Sequence, residues 1–269
     1  MLRNMIDAIF ENSYVVNVLS NFISLALLVF LGFVVQRLAG RKALLKFFRI
    51  QKTKRINLYL SNLSVVAGGA LGVDRKPRSF GETAIPFSES QFIGLFQRLF
   101  NRLVPGLEGQ PGPLRWLLIS DVDVSPLVSP VQEESIDKST TAISLGSPGY
   151  NLVSKWAEDG LGAIGRFTHD NRALTMGGLP ALTDMRQGFI QRVVGSGGTT
   201  CFYAAGCSTL GTIGAAYFLA TKWRYLHRRF GDEISFCVLL QMDDQDFRKC
   251  AIVAERDASE PLISSHARS

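Results

Sequence analysis

Cysteine and histidine are scarce in this sequence: 269 residues contain four Cys and three His. The cysteines are Cys201, Cys207, Cys237 and Cys250, and the histidines are His169, His227 and His266. The cysteine spacings match no zinc-binding pattern, and Cys201, Cys207 and Cys237 stand in apolar runs typical of core positions. No histidine forms a recognisable triad pattern with Ser or Cys. The sequence therefore argues against a zinc module and a Ser–His or Cys–His hydrolase.

Charge is absent from the 22 residues between Tyr14 and Val35. As a helix this run spans ~33 Å, enough to cross a ~30 Å hydrocarbon core. A cluster of basic residues follows it: Arg37, Arg41, Lys42, Lys46, Arg49, Lys52, Lys54 and Arg55. Basic residues beside a span favour the cytoplasmic side. The pattern predicts a single-pass bacterial inner-membrane protein with its N-terminus outside and its C-terminal domain in the cytoplasm.

Two other interpretations of the first segment are a cleaved signal and a buried core helix. A signal should be basic before its apolar core, whereas here Arg3 is offset by Asp7 and Glu11. Four polar residues slightly weaken the interpretation of this segment as a lipid-facing helix. They share one helical face: Asn17, Ser20, Asn21 and Ser24. That face allows a homo-oligomer held by helix–helix hydrogen bonds in the bilayer, although simple tolerance of these residues explains it as well.

The rest of the chain is rich enough in hydrophobic residues, 46% overall against 19% charged, to bury a core. The net charge of +6 does not by itself point to nucleic acid, because eight of 29 Lys and Arg lie in the juxtamembrane cluster. The predicted organisation is an N-terminal extramembrane segment 1–13, a transmembrane helix 14–36, a basic linker 37–55, a cytoplasmic domain 56–250 and a flexible tail 251–269.

Apolar runs alternate with glycine-rich loops and helical periodicity in the predicted domain. Strands are predicted at 56–67, 115–124, 142–146, 188–194, 199–205 and 234–242. Helices are predicted at 89–104 with Ser88 as N-cap, from about Asn151, and after Gly206. Residues 125–140 resemble an exposed excursion and 161–188 an irregular hairpin region. This alternation predicts an α/β fold, with a Rossmann-like three-layer domain built on an open, mostly parallel sheet.

A second uncharged run extends from Gly195 to Thr221. It is long enough for another span, which would place the C-terminus outside. Its glycines, Thr and Ser and its β-branched first half favour a buried strand, turn and helix in the α/β core instead.

Three small-residue loops follow predicted strands, where open α/β sheets bind ligands. Their candidate ligand-binding residues are Gly68, Gly69, Gly72, Gly146, Ser147, Tyr150, Asn151, Gly206, Ser208, Thr209, Gly211 and Thr212. Glycine lets a backbone approach phosphate, and free N–H groups at a helix start favour anions, although tight turns alone also require glycine. Thr212 stands where a P-loop has lysine, which argues against ATP hydrolysis of that type. A nucleotide or sugar phosphate is the predicted ligand.

Two aspartates, Asp121 and Asp123, end the predicted strand 115–124. One of them, Asp121, is a candidate base or ribose-hydroxyl acceptor at the ligand cleft. A turn-forming aspartate is the alternative interpretation of the same residue. No metal ligand set is predicted.

The segment ISLGSPGYNLVSKWAED (143–159) resembles the Ser-Pro-x-Tyr-x-x-Ser-x-Trp stretch of TIR domains through Ser147, Pro148, Tyr150, Ser154 and Trp156. Catalytic TIR domains cleave the nicotinamide–ribose bond of NAD with a glutamate a turn past the tryptophan. Gly160 takes that position here, and Glu158 lies two residues past Trp156. The resemblance covers 17 residues; it implies NAD as substrate or ligand and Glu158 as the catalytic carboxylate.

Three functions are compatible with these features. The first is a membrane-anchored domain that binds a nucleotide-derived ligand, in its enzymatic form by cleaving an N-glycosidic bond with Glu158 or Asp121. The second is a non-catalytic sensor or effector, and the third a scaffold acting through protein–protein contacts. The ligand, NAD or another nucleotide, is not specified by the sequence.

Overall fold

The computed structural model describes residues 13–50, 55–63, 85–100, 122–168, 173–177 and 179–259. The chain divides into two compact units, Met1–Leu45 and Lys46–Ser269. The predicted glycine loop at Gly68, Gly69 and Gly72 and the candidate Asp121 lie outside the described residues.

The first unit is dominated by one long helix, α1, which runs from Ser13 to Phe47. Its stretch Ser20–Phe47 is the one helix, within the described ranges, that is long and apolar enough to cross a membrane. Large apolar side chains such as Phe22 and Leu28 are exposed along it. The helix continues past the predicted span 14–36, so the first part of the predicted linker 37–55 is helical.

The second unit contains a seven-stranded sheet in the order β2-β1-β3-β7-β6-β8-β9 and a separate two-stranded hairpin, β4-β5. The strands are β1 Arg55–Leu60, β2 Asp123–Val128, β3 Thr141–Leu145, β4 Gly165–Phe167, β5 Leu174–Met176, β6 Gln187–Val194, β7 Thr200–Gly206, β8 Phe236–Met242 and β9 Cys250–Asp257. β2, β1, β3 and β7 are mutually parallel, while β6 and β9 run antiparallel to their neighbours. The protein is therefore mixed α/β with a mostly parallel sheet.

Helices cover both faces of this sheet. The helix α2 (Phe87–Phe100) packs against β1, β2 and the long helix α4 (Thr209–Phe230), which itself lies on β6, β7 and β8. The short helix α3 (Leu152–Asp159) packs against β3 and β7. Side chains from α3, from the hairpin and from the sheet, such as Trp156, Phe167 and Tyr203, share one buried cluster. Because neighbouring residues of β7 face opposite ways, α3 and α4 lie on opposite faces.

The end of α1 contributes to the core of the second unit. Phe47 and Phe48 are completely buried, and the Phe48 ring centroid lies 4.7 Å from that of Phe202 and 4.9 Å from that of Phe100. The Phe47 ring contacts those of Phe202 and Phe236. The basic segment 37–55 therefore also contains two aromatic residues of the core.

The predicted end of the second strand was wrong. The stretch that follows Asp123, taken as an excursion, forms β2, so Asp123 begins a strand instead of ending one. Ser125 and Pro126 suggested a loop. However, β2 is the edge strand of this sheet, and an edge strand tolerates proline because the side that lacks an N–H can face solvent, so no hydrogen bond of the sheet is lost. Residues 115–121 lie outside the described ranges.

Other boundaries also differ from the prediction. Ser88 lies inside α2, because the helix begins at Phe87 and the Glu89 and Ser90 N–H groups donate to the Pro86 carbonyl. The sheet continues past residue 250, since β9 pairs with β8 as far as Asp257. The run 195–221 forms buried β7 and the first part of α4, as expected for core, and not a second span.

Candidate functional site

The carboxyl ends of β1 and β3 lie side by side at the centre of the four parallel strands. After β1 the chain reaches α2 on one face, and after β3 it enters α3 on the other. The strands are therefore added in opposite directions from this point, with β2 beside β1 on one side and β7 beside β3 on the other. Neighbouring connections that leave to opposite faces open a crevice at the carboxyl edge, which is where open α/β sheets bind ligands.

A buried carboxylate, Glu89, lies at this edge of the sheet. It stands in the first turn of α2 with 6% of its surface exposed. The Ser61 N–H donates to Glu89 Oε2 at 2.7 Å, and the Ser61 hydroxyl contacts Glu89 Oε1 at 2.8 Å and the Leu145 carbonyl at 3.2 Å. Burial raises the pKa of Glu89 to about 7, although the two Ser61 hydrogen bonds oppose the shift. Glu89 is therefore able to give or take a proton near neutral pH.

The second predicted loop lies beside Glu89 at the same edge. Gly146 has φ +100°, and a Cβ atom there would lie 2.0 Å from Ser61 Oγ, so only glycine fits. Asn151 is fully buried; its Oδ1 caps α3 by accepting from Val153 N, and its Nδ2 donates to the Leu145 carbonyl at 2.7 Å. These residues hold the ends of β1 and β3 together.

Two further candidates from this loop lie at the rim. Ser147 is partly exposed and its carbonyl accepts from the Asn151 N–H. The Tyr150 carbonyl accepts from the Asn62 N–H at 2.8 Å, while Tyr150 as a whole is 36% exposed. The structure thus brings Gly146, Ser147, Tyr150 and Asn151 together with Glu89.

The third loop is packed closely against backbone. A Cβ atom on Gly211 would lie 2.1 Å from the Gln187 carbonyl oxygen, and one on Gly206 would lie 2.4 Å from the Gly211 carbonyl carbon. The Ser208 hydroxyl caps α4 by accepting from Gly211 N at 3.3 Å. Thr212 Oγ1 accepts from the Gly206 N–H. Here the glycines serve the close approach of α4 to β6 and β7, and Thr209 is exposed at the helix start.

One buried acceptor at this edge has no partner. Gln187 begins β6, and its Oε1 atom is buried without a hydrogen bond among the described residues. Sequence reasoning missed both Gln187 and Glu89. Glu89 looked like one polar position of an amphipathic helix, and only the folded arrangement shows that it turns inward.

Glu158 lies below the sheet, in the buried cluster on the α3 side. The Tyr203 hydroxyl donates to Glu158 Oε1 at 2.9 Å, and the Phe167 N–H donates to the same carboxylate at 3.1 Å. Burial raises the pKa of Glu158 to about 7, against the effect of these bonds. Its carboxylate joins α3 to β4 and β7.

The other proposed catalytic acid, Asp121, lies outside the described residues. Asp123 begins β2, and β2 runs parallel to β1, so Asp123 lies at the amino-terminal edge, opposite the crevice. Over the described part of the chain, no group of three or more His, Cys, Asp or Glu side chains is placed to hold a metal ion. All four cysteines are free, with Cys201 and Cys237 buried.

These observations define a mixed α/β domain with a buried carboxylate at the carboxyl edge of its parallel strands, in a chain whose described residues also include one helix apolar enough to span a membrane. Comparison with family models, curated proteins and solved structures found no match to this chain.

Proposed function

We propose that this chain is a membrane-anchored protein whose carboxyl-edge crevice binds a nucleotide-derived ligand. The observation that carries the proposal is Glu89, a buried carboxylate with a pKa of about 7, held by Ser61 where β1 and β3 end. Buried acids with shifted pKa values cluster at functional sites. In its charged form Glu89 accepts hydrogen bonds from ribose hydroxyls, and in its neutral form it also donates one.

Nucleotide chemistry suits the other groups at this edge. Tyr150 offers a partly exposed aromatic side chain at the rim, which is suited to stacking on a base. Gln187 Oε1 is an acceptor suited to a donor such as an amino group. The sequence after β1 continues towards Gly68, Gly69 and Gly72, whose role as a phosphate-binding loop stays a prediction. In this proposal α1 spans the inner membrane and the basic residues after it face the cytoplasm. The domain is then exposed to the nucleotides of the cytoplasm.

A second candidate function is cleavage of an N-glycosidic bond, with NAD as the substrate that the TIR-like segment suggests. Glu158 favours it through its pKa of about 7. The two hydrogen bonds of Glu158 and its burial favour a structural role for this residue. A structural role for Glu158 favours a non-catalytic sensor over an enzyme.

The test uses the full-length chain in phosphatidylcholine nanodiscs, with NAD, AMP, ADP, ATP and cyclic nucleotides as probes. Thermal unfolding reports binding, and chromatography of the nucleotide reports turnover. Glu89→Gln should weaken binding about tenfold, because a charge-assisted hydrogen bond contributes about 1.5–3 kcal/mol. The control is Glu134→Gln, which removes an exposed carboxylate elsewhere.

The outcomes separate the functions. A nucleotide-dependent rise in the melting temperature that Glu89→Gln loses and Glu134→Gln keeps would support the binding site. Turnover of NAD that Glu158→Gln abolishes would support the enzyme. No response of the wild type to any probe would overturn the nucleotide proposal. A C-terminal reporter active only outside the cytoplasm would overturn the proposed orientation.

A further inference from the structure

A cavity of about 400 Å³ lies at the amino-terminal edge of the sheet, opposite the edge that holds Glu89. Thr141 and Thr200, the first residues of β3 and β7, line it together with Gly197 and Gly198. Its charged lining residues are Lys46, Arg49, Lys138, Asp232 and Glu233. The cavity is separate from the crevice at Glu89, so a ligand bound here is independent of the proposed function.

Two of the three cations in this lining already have partners. Lys46 forms an ion pair with Asp232. The Asp232 carboxylate also lies within ion-pair distance of His227 Nε2. Lys138 Nζ lies 3.2 Å from Glu133 Oε1. Arg49, by contrast, has no carboxylate within ion-pair distance anywhere in the described ranges, and its guanidinium reaches towards Gly198. The Arg49 Nη2 atom lies 3.9 Å from the position that a Cβ atom on Gly198 would take.

A buried guanidinium adds to the positive charge near the cavity, whose lining also holds the carboxylates Asp232 and Glu233. Arg192 is completely buried; in the part of the chain that the structure describes, its nitrogens donate to the backbone carbonyls of Phe47, Gly231 and Ile234, and its guanidinium lies over the rings of Phe47 and Phe236. Phe47 and Gly231 adjoin the cavity residues Lys46 and Asp232 in the chain. Burial and the charge of Arg49 lower the pKa of Arg192 to about 10. Buried charges are normally paired, so an anion beside Arg49 would offset both guanidinium groups.

The backbone of Arg49 is also unusual. Arg49 follows the end of α1 with φ +54°, the left-handed position that most often carries glycine at a helix end. A long cationic side chain here is conformationally disfavoured, yet it places a guanidinium over the cavity. Guanidinium is the group best suited to phosphate, because its parallel N–H donors bind two oxygens at once.

We propose that this amino-edge cavity binds a phosphate group through Arg49, with Lys46 and Lys138 as flanking cations. The phosphate belongs either to an anionic lipid headgroup or to a soluble phosphorylated molecule. The dense run of basic residues from Arg37 to Arg55 is compatible with the first source. The position of the cavity between the starts of β3 and β7 is compatible with the second.

The experiment measures thermal unfolding of the full-length chain in two kinds of nanodisc. In phosphatidylcholine discs, inorganic phosphate is titrated against chloride at constant ionic strength. In the second arm, phosphatidylglycerol replaces part of the phosphatidylcholine and no phosphate is added. The variants are Arg49→Gly, which suits the left-handed backbone, and Arg49→Gln, which keeps side-chain length. The control is Lys222→Gln, which removes one exposed charge outside the cavity lining.

A saturable rise in the melting temperature with inorganic phosphate would assign the soluble source, and a rise in phosphatidylglycerol discs would assign the lipid source. In either case both Arg49 variants should weaken the response about tenfold or more, while Lys222→Gln keeps it. Arg49→Gly should match or exceed the ligand-free stability of the wild type, because glycine removes the backbone strain. Equal responses from the wild type and both Arg49 variants, or no wild-type response in either arm, would overturn the proposal.

Discussion

Glu89 and Glu158 are buried carboxylates whose pKa values of about 7 stand well above the ordinary 4.5. The native state therefore binds more protons than the unfolded chain between about pH 4.5 and 7. Stability from these groups is fully present below pH 4.5, falls as the pH rises towards 7 and then levels off. Each carboxylate changes the free energy of unfolding by on the order of 3 kcal/mol across that window.

Glu89→Gln should remove a large part of this pH dependence. Glutamine accepts from the Ser61 N–H with its oxygen and donates to Ser61 Oγ with its amide, so the local contacts survive without a charge to bury. We expect the variant to be more stable than the wild type at pH 8 and nearly equal at pH 5, measured as urea midpoints. Glu134→Gln, at an exposed position, should leave the profile unchanged. Parallel profiles for all three proteins would contradict the assigned burial of the Glu89 charge.

At the scale of elements, the contact between the start of α4 and strands β6 and β7 depends on three glycines: Gly188, Gly206 and Gly211. A Cβ atom on Gly188 would lie 2.4 Å from the Gly211 carbonyl oxygen, so backbone meets backbone with no side chain between. Such contacts leave no flexible atom that can move aside. The glycines of the loop after β7 therefore have a packing role, and their predicted role in phosphate binding stays a prediction.

Gly211→Ala should therefore destabilise the domain by about 1–3 kcal/mol through overpacking. The matched control is Gly94→Ala in α2, where nothing lies within 4 Å of the added methyl group. That change should stabilise by about 0.5–1 kcal/mol, because alanine is the better helix former. Denaturant unfolding of both variants measures the difference, and effects of the same sign would show that the joint tolerates a side chain.

Local patterns were sufficient to predict several elements of this fold. Strands β3, β6, β7 and β8 follow from their apolar runs, and the Asn151 cap marks the start of α3, because these signals are contained in a few neighbouring residues. Strand β2 was missed and β9 was assigned to a tail, since an edge strand is stabilised by pairing with a neighbour and needs no apolar pattern of its own. The reversed direction of β6 is likewise a long-range property.

The candidate site was only partly predictable for the same reason. The turn residues Gly146 and Asn151 carry a local signature, and the structure places them beside the crevice. The inward turn of Glu89 depends on Ser61, which lies 28 residues earlier in the chain. No local pattern distinguishes such a carboxylate from a solvated one on a helix surface.

For the whole molecule, the decisive property is the exposed apolar surface of α1. We expect the full chain to remain in the membrane fraction after alkaline carbonate extraction. Leu27→Arg, near the middle of the apolar stretch, should reduce insertion, because arginine at the centre of a span costs about 2.5–3.5 kcal/mol. Leu27→Ala is the control for side-chain loss and should remain inserted. Full extraction of the wild-type chain by carbonate would contradict a transmembrane role for α1.

The aromatic pair at the end of α1 determines where this protein can be cut. Phe47, Phe48 and Ile50 are buried residues of the second unit, although they precede its first strand. A protease or an expression boundary at residue 56 would release a fragment whose Phe202 and Phe236 face a vacated space and whose Arg192 loses the Phe47 carbonyl. Shedding the domain intact requires cleavage before Lys46, within the helix itself.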